Sequence, residues 1–120
     1  MKHSNVPLYL ASCDILIAPF PADEHYNHFM SPMKIFEYMA VGRPIIATDL
    51  ETIREIVQDK RSAVLIPPAS PSDLANAVKS LIDNPNTGRI LIEKASADIQ
   101  SHTWEARAER ILTFLGSYFA

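Results

Sequence analysis

The sequence predicts an α/β protein in which a short parallel sheet is followed by a helical carboxyl-terminal segment. Three runs of residues are continuously apolar, which is typical of strands whose sheet is covered on both faces. Helix-periodic segments lie between these runs, and this alternation favours right-handed βαβ units. After the third run the pattern is helical only. The predicted strands are Asp14–Pro19, Pro44–Thr48 and Ala63–Pro67.

Helices are predicted before, between and after these strands. The first three are Val6–Cys13, Pro32–Val41 and Thr52–Val57. The next begins at Ser70-Pro71-Ser72-Asp73, which supplies an N-cap residue, a proline for the first turn and an acidic residue. Asn84-Pro85 is expected to end it. Its predicted inward stripe is Leu74, Ala77, Val78, Leu81 and Ile82.

Two more helices complete the predicted carboxyl-terminal segment. One spans Thr87–Gln100, and the last is capped by Thr103. We expect His102 and Trp104 to belong to the capping and packing of that last helix. The predicted inward stripes are Ile90, Leu91, Ala95 and Ile99 in the first helix, and Trp104, Ala108, Ile111, Leu112 and Leu115 in the second.

Length and composition exclude several classes of protein. The 120 residues allow one domain, and 48% hydrophobic with 21% charged residues argues against disorder. A net charge of −3 offers no polyanion-binding surface, so we predict no nucleic-acid partner. No apolar run approaches the ~20 residues of a membrane span, and no signal peptide is visible, which predicts a cytoplasmic protein. The single cysteine, Cys13, fits a reducing compartment and is expected to be a buried, inert thiol.

The strand inventory predicts that the chain is part of a larger domain. Three strands make a small sheet, and one of its edges would be apolar and uncovered. The chain also opens on a helix with no strand before it. We therefore expect Ile15–Ala18 to pair on one side only, and residues 1–120 to form a single partial domain whose earlier βα units are missing.

The connection after the first strand is the predicted ligand-binding region. Phe20–Met30 has eleven residues, whereas ~2–6 are usual for such links. Long loops at the carboxyl ends of parallel strands are where these sheets bind ligands. Ser31 is a good N-cap residue and Pro32 a good first helical residue, so unpaired amides would point at this edge. With Lys34 in the same turn, the sequence predicts an anion site.

Glu37 lies on the same face of this helix as Lys34, opposite Ile35, Phe36, Met39 and Ala40. Two interpretations follow from this spacing. The two charges could form a solvated surface pair worth a few tenths of a kcal/mol. Alternatively, the lysine and the helix start bind phosphate, while the Glu37 carboxylate accepts hydrogen bonds from sugar hydroxyls.

Three stretches of the sequence, Asn5 to Pro19, Ser31 to Ala47 and Ala63 to Pro68, resemble motifs of the family 4, or group 1, retaining glycosyltransferases. Asn5 to Pro19 is similar to their "vPxyLaxaDvlvxP" stretch, and Ala63 to Pro68 to the strand that usually reads "GxLvPpxd". The most specific match is to their "SPxKxxEYMAxGxPVIA" motif. It covers the residues SPMKIFEYMAVGRPIIA, from Ser31 to Ala47.

The resemblance implies the GT-B architecture, in which two Rossmann-like domains enclose the active site. It places this chain in the carboxyl-terminal, donor-binding domain, which binds a nucleotide diphosphate sugar for hexosyl transfer. Glu37 would bind the ribose hydroxyls, and the start of the helix would lie near the diphosphate. The donor-binding residues implied are Ser31, Pro32, Met33, Lys34 and Glu37.

The resemblance also indicates what the chain lacks. The family's first glutamate is replaced by Phe29, which removes a carboxylate that normally lies near the donor sugar. We expect Phe29, Met30 and His28 to lie in a loop that lines the donor sugar or the interdomain cleft. The family's basic phosphate ligands and its acceptor domain lie upstream. The chain alone is therefore expected to be inactive and to hold no catalytic residue, cofactor or metal, while the missing part could associate peripherally with a membrane.

Other interpretations of the sequence are weaker. The loop Asp23–His28 contains two histidines and two acids, but a loop does not fix the ~4 ligands that zinc prefers. A receiver-like domain would need acids after the first strand, where Pro19-Phe20 stands. Thr48-Asp49 could face the site or cap the next helix. A non-catalytic nucleotide-sugar binding module, or a fragment that docks on a partner, remains the alternative function.

Overall fold

The computed structural model describes residues 5–22 and 33–100 of the chain. In this part the α/β fold class is confirmed, and each predicted strand is found with shorter bounds. The last predicted helix, which begins at Thr103, lies outside the described residues. In chain order, the elements are α1 (Val6–Ala11), β1 (Leu16–Ala18), α2 (Met33–Val41), β2 (Ile45–Thr48), α3 (Glu51–Arg54), β3 (Val64–Ile66), α4 (Pro71–Asp83) and α5 (Pro85–Ile99).

The three strands form a parallel sheet in the order β1-β2-β3. Leu16 lies opposite Ile45, and Ile46 lies opposite Val64. Within the described residues, β1 pairs with β2 alone. Because the strands are parallel, their carboxyl ends lie along one edge of the sheet, which is where ligands bind in this class of fold.

Helices cover both faces of the sheet and produce two apolar clusters. We call them the α2-side cluster and the α4-side cluster. Successive residues of β2 point to opposite faces, so Ile45 belongs to the first and Ile46 to the second, and both are fully buried. Burying a side chain of this size stabilises the fold by about 1.5–3 kcal/mol. From the helices, the α2-side cluster includes Ile35, Tyr38, Met39 and Ala95, and the α4-side cluster includes Ala77, Leu81 and Leu91.

The link between α2 and β2 is fixed from two sides. Gly42 ends α2 with a φ of +83°, a left-handed conformation that glycine adopts without strain. The Arg43 guanidinium donates hydrogen bonds of 3.1 and 2.6 Å, from Nε and one Nη, to the carbonyl oxygen of Ala11 at the end of α1. On the other side, α5 approaches so closely at Gly88 that a Cβ there would lie 3.0 Å from Pro44 Cγ. These contacts hold α2 in register with the sheet.

Several predictions about which residues face inward are wrong. Ile82 is 65% exposed and Ile90 is 47% exposed. Each is the immediate neighbour of a buried leucine, and a step of one residue turns a side chain by about 100° around the helix. On the side of α2 opposite Lys34 and Glu37, Met39 is buried and its neighbour Ala40 is exposed. Helix α5 begins at Pro85 rather than Thr87, since proline suits the first turn.

Cys13 is exposed, which also contradicts the sequence-based prediction of a buried thiol. The residue lies in the turn after α1, whose outer face is exposed at Leu8 and Tyr9. Its Sγ atom lies 3.4 Å from the carbonyl oxygen of Tyr9, to which it donates. Its apolar neighbours Leu10 and Ile15 pack against the core clusters, but the thiol itself points outward with Leu8 and Tyr9.

Candidate functional site

Lys34 lies at the carboxyl edge of the sheet. It is the second residue of α2, and its Nζ atom lies 5.8 Å from the centroid of the Phe20 ring. Phe20 follows β1 by two residues, so this contact places the ammonium group beside the end of that strand. The first-turn amides of a helix have no partners within the helix. The lysine charge and these amides together form the positive end of the candidate site.

Glu37 is half-buried one turn further along α2. Both Glu37 and Lys34 belong to the described part of the chain, and they do not form an ion pair there. The surface-pair interpretation therefore lacks the contact on which it depends. The negative charge of Glu37 instead acts on its neighbour Tyr38. Burial is the largest cause that raises the pKa of Tyr38, and the charges of Cys13 and Glu37 raise that pKa further.

Tyr38 fastens α2 to the outer edge of β1. Its hydroxyl donates a hydrogen bond of 3.2 Å to the carbonyl oxygen of Ile17. The amide of Leu16 donates to the carbonyl of Pro44, towards β2, and successive residues of a strand point their polar groups to alternate sides. The Ile17 carbonyl therefore points away from β2, and Tyr38 supplies its donor. Sequence reasoning assigned Tyr38 no role, since the contact joins residues 21 positions apart.

Thr48 and Asp49, at the carboxyl end of β2, both form contacts within the protein. The buried Thr48 hydroxyl donates a hydrogen bond of 3.4 Å to the carbonyl oxygen of Ala18 on β1. Asp49 forms an ion pair of 2.9 Å with Arg54 of α3, and the N-cap position of that helix is Leu50. Asp49 is therefore not the cap of α3, which was one of its two predicted roles.

Sequence comparison relates the chain to a known enzyme family. The sequence profile of the family described as glycosyl transferases group 1 matches residues 1–84. The chain belongs to this family. A curated relative, alpha-D-kanosaminyltransferase from Streptomyces kanamyceticus, is 24% identical over 96 residues, which are 80% of this chain and 23% of that protein.

Solved glycosyltransferase structures share the fold. Sucrose-phosphate synthase from Thermosynechococcus elongatus matches with a TM-score of 0.79 at 23% identity, over 99% of this chain and 29% of that one. Anabaena Alr3699/HepE in complex with UDP-glucose matches with a TM-score of 0.69 at 23% identity, over 94% of this chain and 30% of that one. These neighbours are GT-B enzymes, which confirms the predicted fold class. The chain spans less than a third of the length of each of these proteins.

Part of the glycosyltransferase motif lies outside the described residues. Met33 and Lys34 begin α2, and Glu37 follows in the same helix. The predicted donor-binding residues Ser31 and Pro32 are not among the described residues. The same holds for the predicted loop residues Phe29, Met30 and His28, whose roles stay predictions.

The described residues show neither a metal-binding cluster nor a helix that could span a membrane. Residues 5–22 and 33–100 contain no group of three or more histidine, cysteine, aspartate or glutamate side chains placed to hold a metal ion. Among their helices, none is both long enough and apolar enough to cross a bilayer. The loop that suggested metal binding, Asp23–His28, lies outside these residues.

A shallow depression of about 360 Å³ lies on α1. It is lined by Asn5, Leu8, Tyr9 and Ser12. None of these residues belongs to α2 or to the carboxyl ends of the strands. We therefore place the candidate site at Lys34 and Glu37, where charge and helix geometry coincide, rather than at this depression.

Proposed function

We propose that this chain supplies the donor-binding part of a glycosyltransferase that acts on a nucleotide diphosphate sugar. In the proposed reaction the bond between the anomeric carbon and the diphosphate oxygen breaks, and a bond to an acceptor hydroxyl oxygen forms. The acceptor proton leaves with a base, and the anomeric configuration is retained. One observation carries the proposal: the ammonium group of Lys34 lies at the carboxyl edge of the sheet, beside the first turn of α2.

The diphosphate would bind at the start of α2. Backbone amides at Met33 and Lys34 point out of the first turn, and the helix dipole favours an anion there. The Lys34 side chain is exposed and adds a full positive charge. Amides and an ammonium group together can stabilise the charge that develops on the departing diphosphate.

Glu37 would bind the ribose of the donor. An ionised carboxylate only accepts hydrogen bonds, and its two oxygens suit two neighbouring hydroxyl donors. The Glu37 side chain is half-buried and forms no ion pair within the described residues, so its oxygens are available to such a ligand. The glycosyltransferase motif, in which the equivalent glutamate follows the lysine by three residues, supports this assignment.

We propose that the groups that complete the active site lie in an upstream part of the protein. The chain spans 29% of sucrose-phosphate synthase and 30% of Alr3699/HepE, so most of such an enzyme is outside it. The 120 residues alone would bind donor weakly and turn over no substrate. Since the solved Alr3699/HepE contains UDP-glucose, UDP and UDP-glucose are suitable probes for binding.

The proposal is tested by Glu37→Gln in the complete protein, with UDP titrated by calorimetry. The amide keeps the shape but removes one acceptor oxygen and the charge, which should cost about 1.5–3 kcal/mol, or roughly ten- to a hundred-fold in UDP affinity. Glu93→Gln, an exposed glutamate on α5, is the matched control and should bind UDP as the wild type does. Equal UDP affinity in both variants, with only stability altered at Glu37, would show that Glu37 is a surface residue and refute the proposal.

A further inference from the structure

We propose that Phe20 is a positioning residue for the donor diphosphate, because its ring holds the Lys34 ammonium group at the mouth of the site. This inference rests on the proposed function, in which Lys34 binds phosphate. It goes beyond that function by assigning a role to a residue outside the glycosyltransferase motif that begins at Ser31.

The geometry is that of a cation–π contact. Lys34 Nζ lies 5.8 Å from the ring centroid, inside the ~6 Å within which the negative face of an aromatic ring attracts a cation. Phe20 is half-buried and packs against the α2-side cluster, whereas Lys34 is exposed. The ring is therefore anchored by the core, and the lysine head rests on it while remaining open to solvent.

This arrangement prepares Lys34 for an anion. A lysine side chain has several rotatable bonds and loses conformational entropy when its head is fixed by a ligand. The ring already restricts the head, so less freedom is lost on binding. The attraction to the ring face also leaves N–H donors on the opposite side of the ammonium group for phosphate oxygens.

Apolar packing alone does not require a phenylalanine at this position. A leucine or a methionine would also cover the α2-side cluster, but neither has a negative face to attract the ammonium group. This difference distinguishes a role of Phe20 in positioning Lys34 from a role in apolar packing alone. Phe20→Tyr keeps the ring face, whereas Phe20→Leu and Phe20→Met remove it.

The test compares UDP with UMP, which differ in the second phosphate group, by calorimetry on the complete protein. Phe20→Leu should weaken UDP binding about three-fold, the size expected for an exposed cation–π contact, and should change UMP binding less. Phe20→Tyr should restore the wild-type ratio of the two affinities. In a double-mutant cycle, Phe20→Leu should cause no further loss when Lys34→Ala is already present.

The remaining outcomes of these experiments distinguish a failure of the role of Phe20 from a failure of the proposed function. Wild-type UDP affinity in Phe20→Leu, tighter binding in that variant, or an equal loss with and without Lys34 would overturn the role of Phe20. If Phe20→Leu does not fold, Phe20→Met provides the same comparison. If Lys34→Ala and Glu37→Gln both bind UDP as the wild type does, the proposed function itself fails. A loss in Lys34→Ala without any in Phe20→Leu rejects only the role of Phe20.

Discussion

The Tyr38 hydroxyl lies 3.2 Å from the Ile17 carbonyl oxygen and donates a hydrogen bond to it. This bond joins α2, which carries Lys34 and Glu37, to the outer edge of β1. An unpaired carbonyl on a strand edge invites pairing with another chain. The tyrosine therefore orients the helix of the candidate site and, at the same time, supplies a donor to an acceptor at the edge of the strand.

Tyr38→Phe should destabilise the chain. The substitution removes the donor to the Ile17 carbonyl but keeps the buried ring, so we expect a loss of about 0.5–1.5 kcal/mol in the free energy of unfolding. Urea denaturation of both proteins measures this difference. Tyr9→Phe is a matched control, because Tyr9 is 57% exposed and its substitution should alter stability by less than about 0.5 kcal/mol. Equal stability of the wild type and Tyr38→Phe would mean that the bond contributes nothing.

The same tyrosine predicts a pH dependence of stability. Burial, with the charges of Cys13 and Glu37, raises the pKa of Tyr38 above its ordinary value of 10.0. Above pH 10.0 the unfolded chain therefore loses this proton before the folded chain does. The contribution to stability is fully present below that pH, and it is lost as the pH rises through the folded pKa. Between about pH 9 and pH 11, the range in which tyrosine titrates, the free energy of unfolding should fall more steeply in the wild type than in Tyr38→Phe. Parallel curves would contradict this linkage.

Gly42→Ala should destabilise the end of α2. Gly42 has a φ of +83°, and an added Cβ would meet nothing closer than Ile92 Cγ2 at 4.0 Å. The cost is therefore conformational rather than steric, and about 1–2 kcal/mol is expected for alanine in this region. Gly42→Asn should lose less, since asparagine tolerates the left-handed conformation better. Thermal unfolding of the wild type, Gly42→Ala and Gly42→Asn gives their order of stability. A Gly42→Ala variant as stable as the wild type would contradict this prediction.

Transfer by the complete protein should not require a divalent metal. We infer this from the roles proposed for the amides at the start of α2 and for Lys34, which can stabilise the departing diphosphate without a metal ion. Assays with UDP-glucose before and after treatment with EDTA measure the effect, and equal rates are expected. Loss of transfer with EDTA, followed by recovery on addition of Mg²⁺ or Mn²⁺, would overturn this part of the mechanism.

Local patterns were sufficient to predict the elements and their order. The apolar runs gave β1, β2 and β3, and the capping residues at Ser70-Pro71 gave the start of α4. Periodicity could not decide the boundary of each buried stripe. Ile82 and Ile90 stand at such boundaries and proved exposed. Whether a boundary residue is buried depends on the neighbouring helix, which no local pattern encodes.

The candidate site was predicted only along one helix. Lys34 and Glu37 were selected from their spacing and from a resemblance, and both lie on α2 as expected. The contacts that join α2 to β1 and its carboxyl end were not predicted. Phe20 reaches Lys34, and Tyr38 reaches Ile17, only after the chain has folded β1 against α2. Such contacts join residues that are far apart in sequence, so the spacing of residues within β1 or within α2 does not predict them.

The division of the core between the two faces of the sheet has an evolutionary consequence. The buried side chains of α2, Ile35 and Met39 among them, lie in one cluster, and those of α4, Ala77 and Leu81, lie in the other. Conservative substitutions on α4 are therefore expected to accumulate as neutral drift without displacing Lys34 and Glu37. A substitution at Ile35 or Met39 that shifts α2 would move Lys34 and Glu37 together, since all four residues lie on that helix. Among diverging members of the family, α2 should accept mutations slowly and α4 quickly.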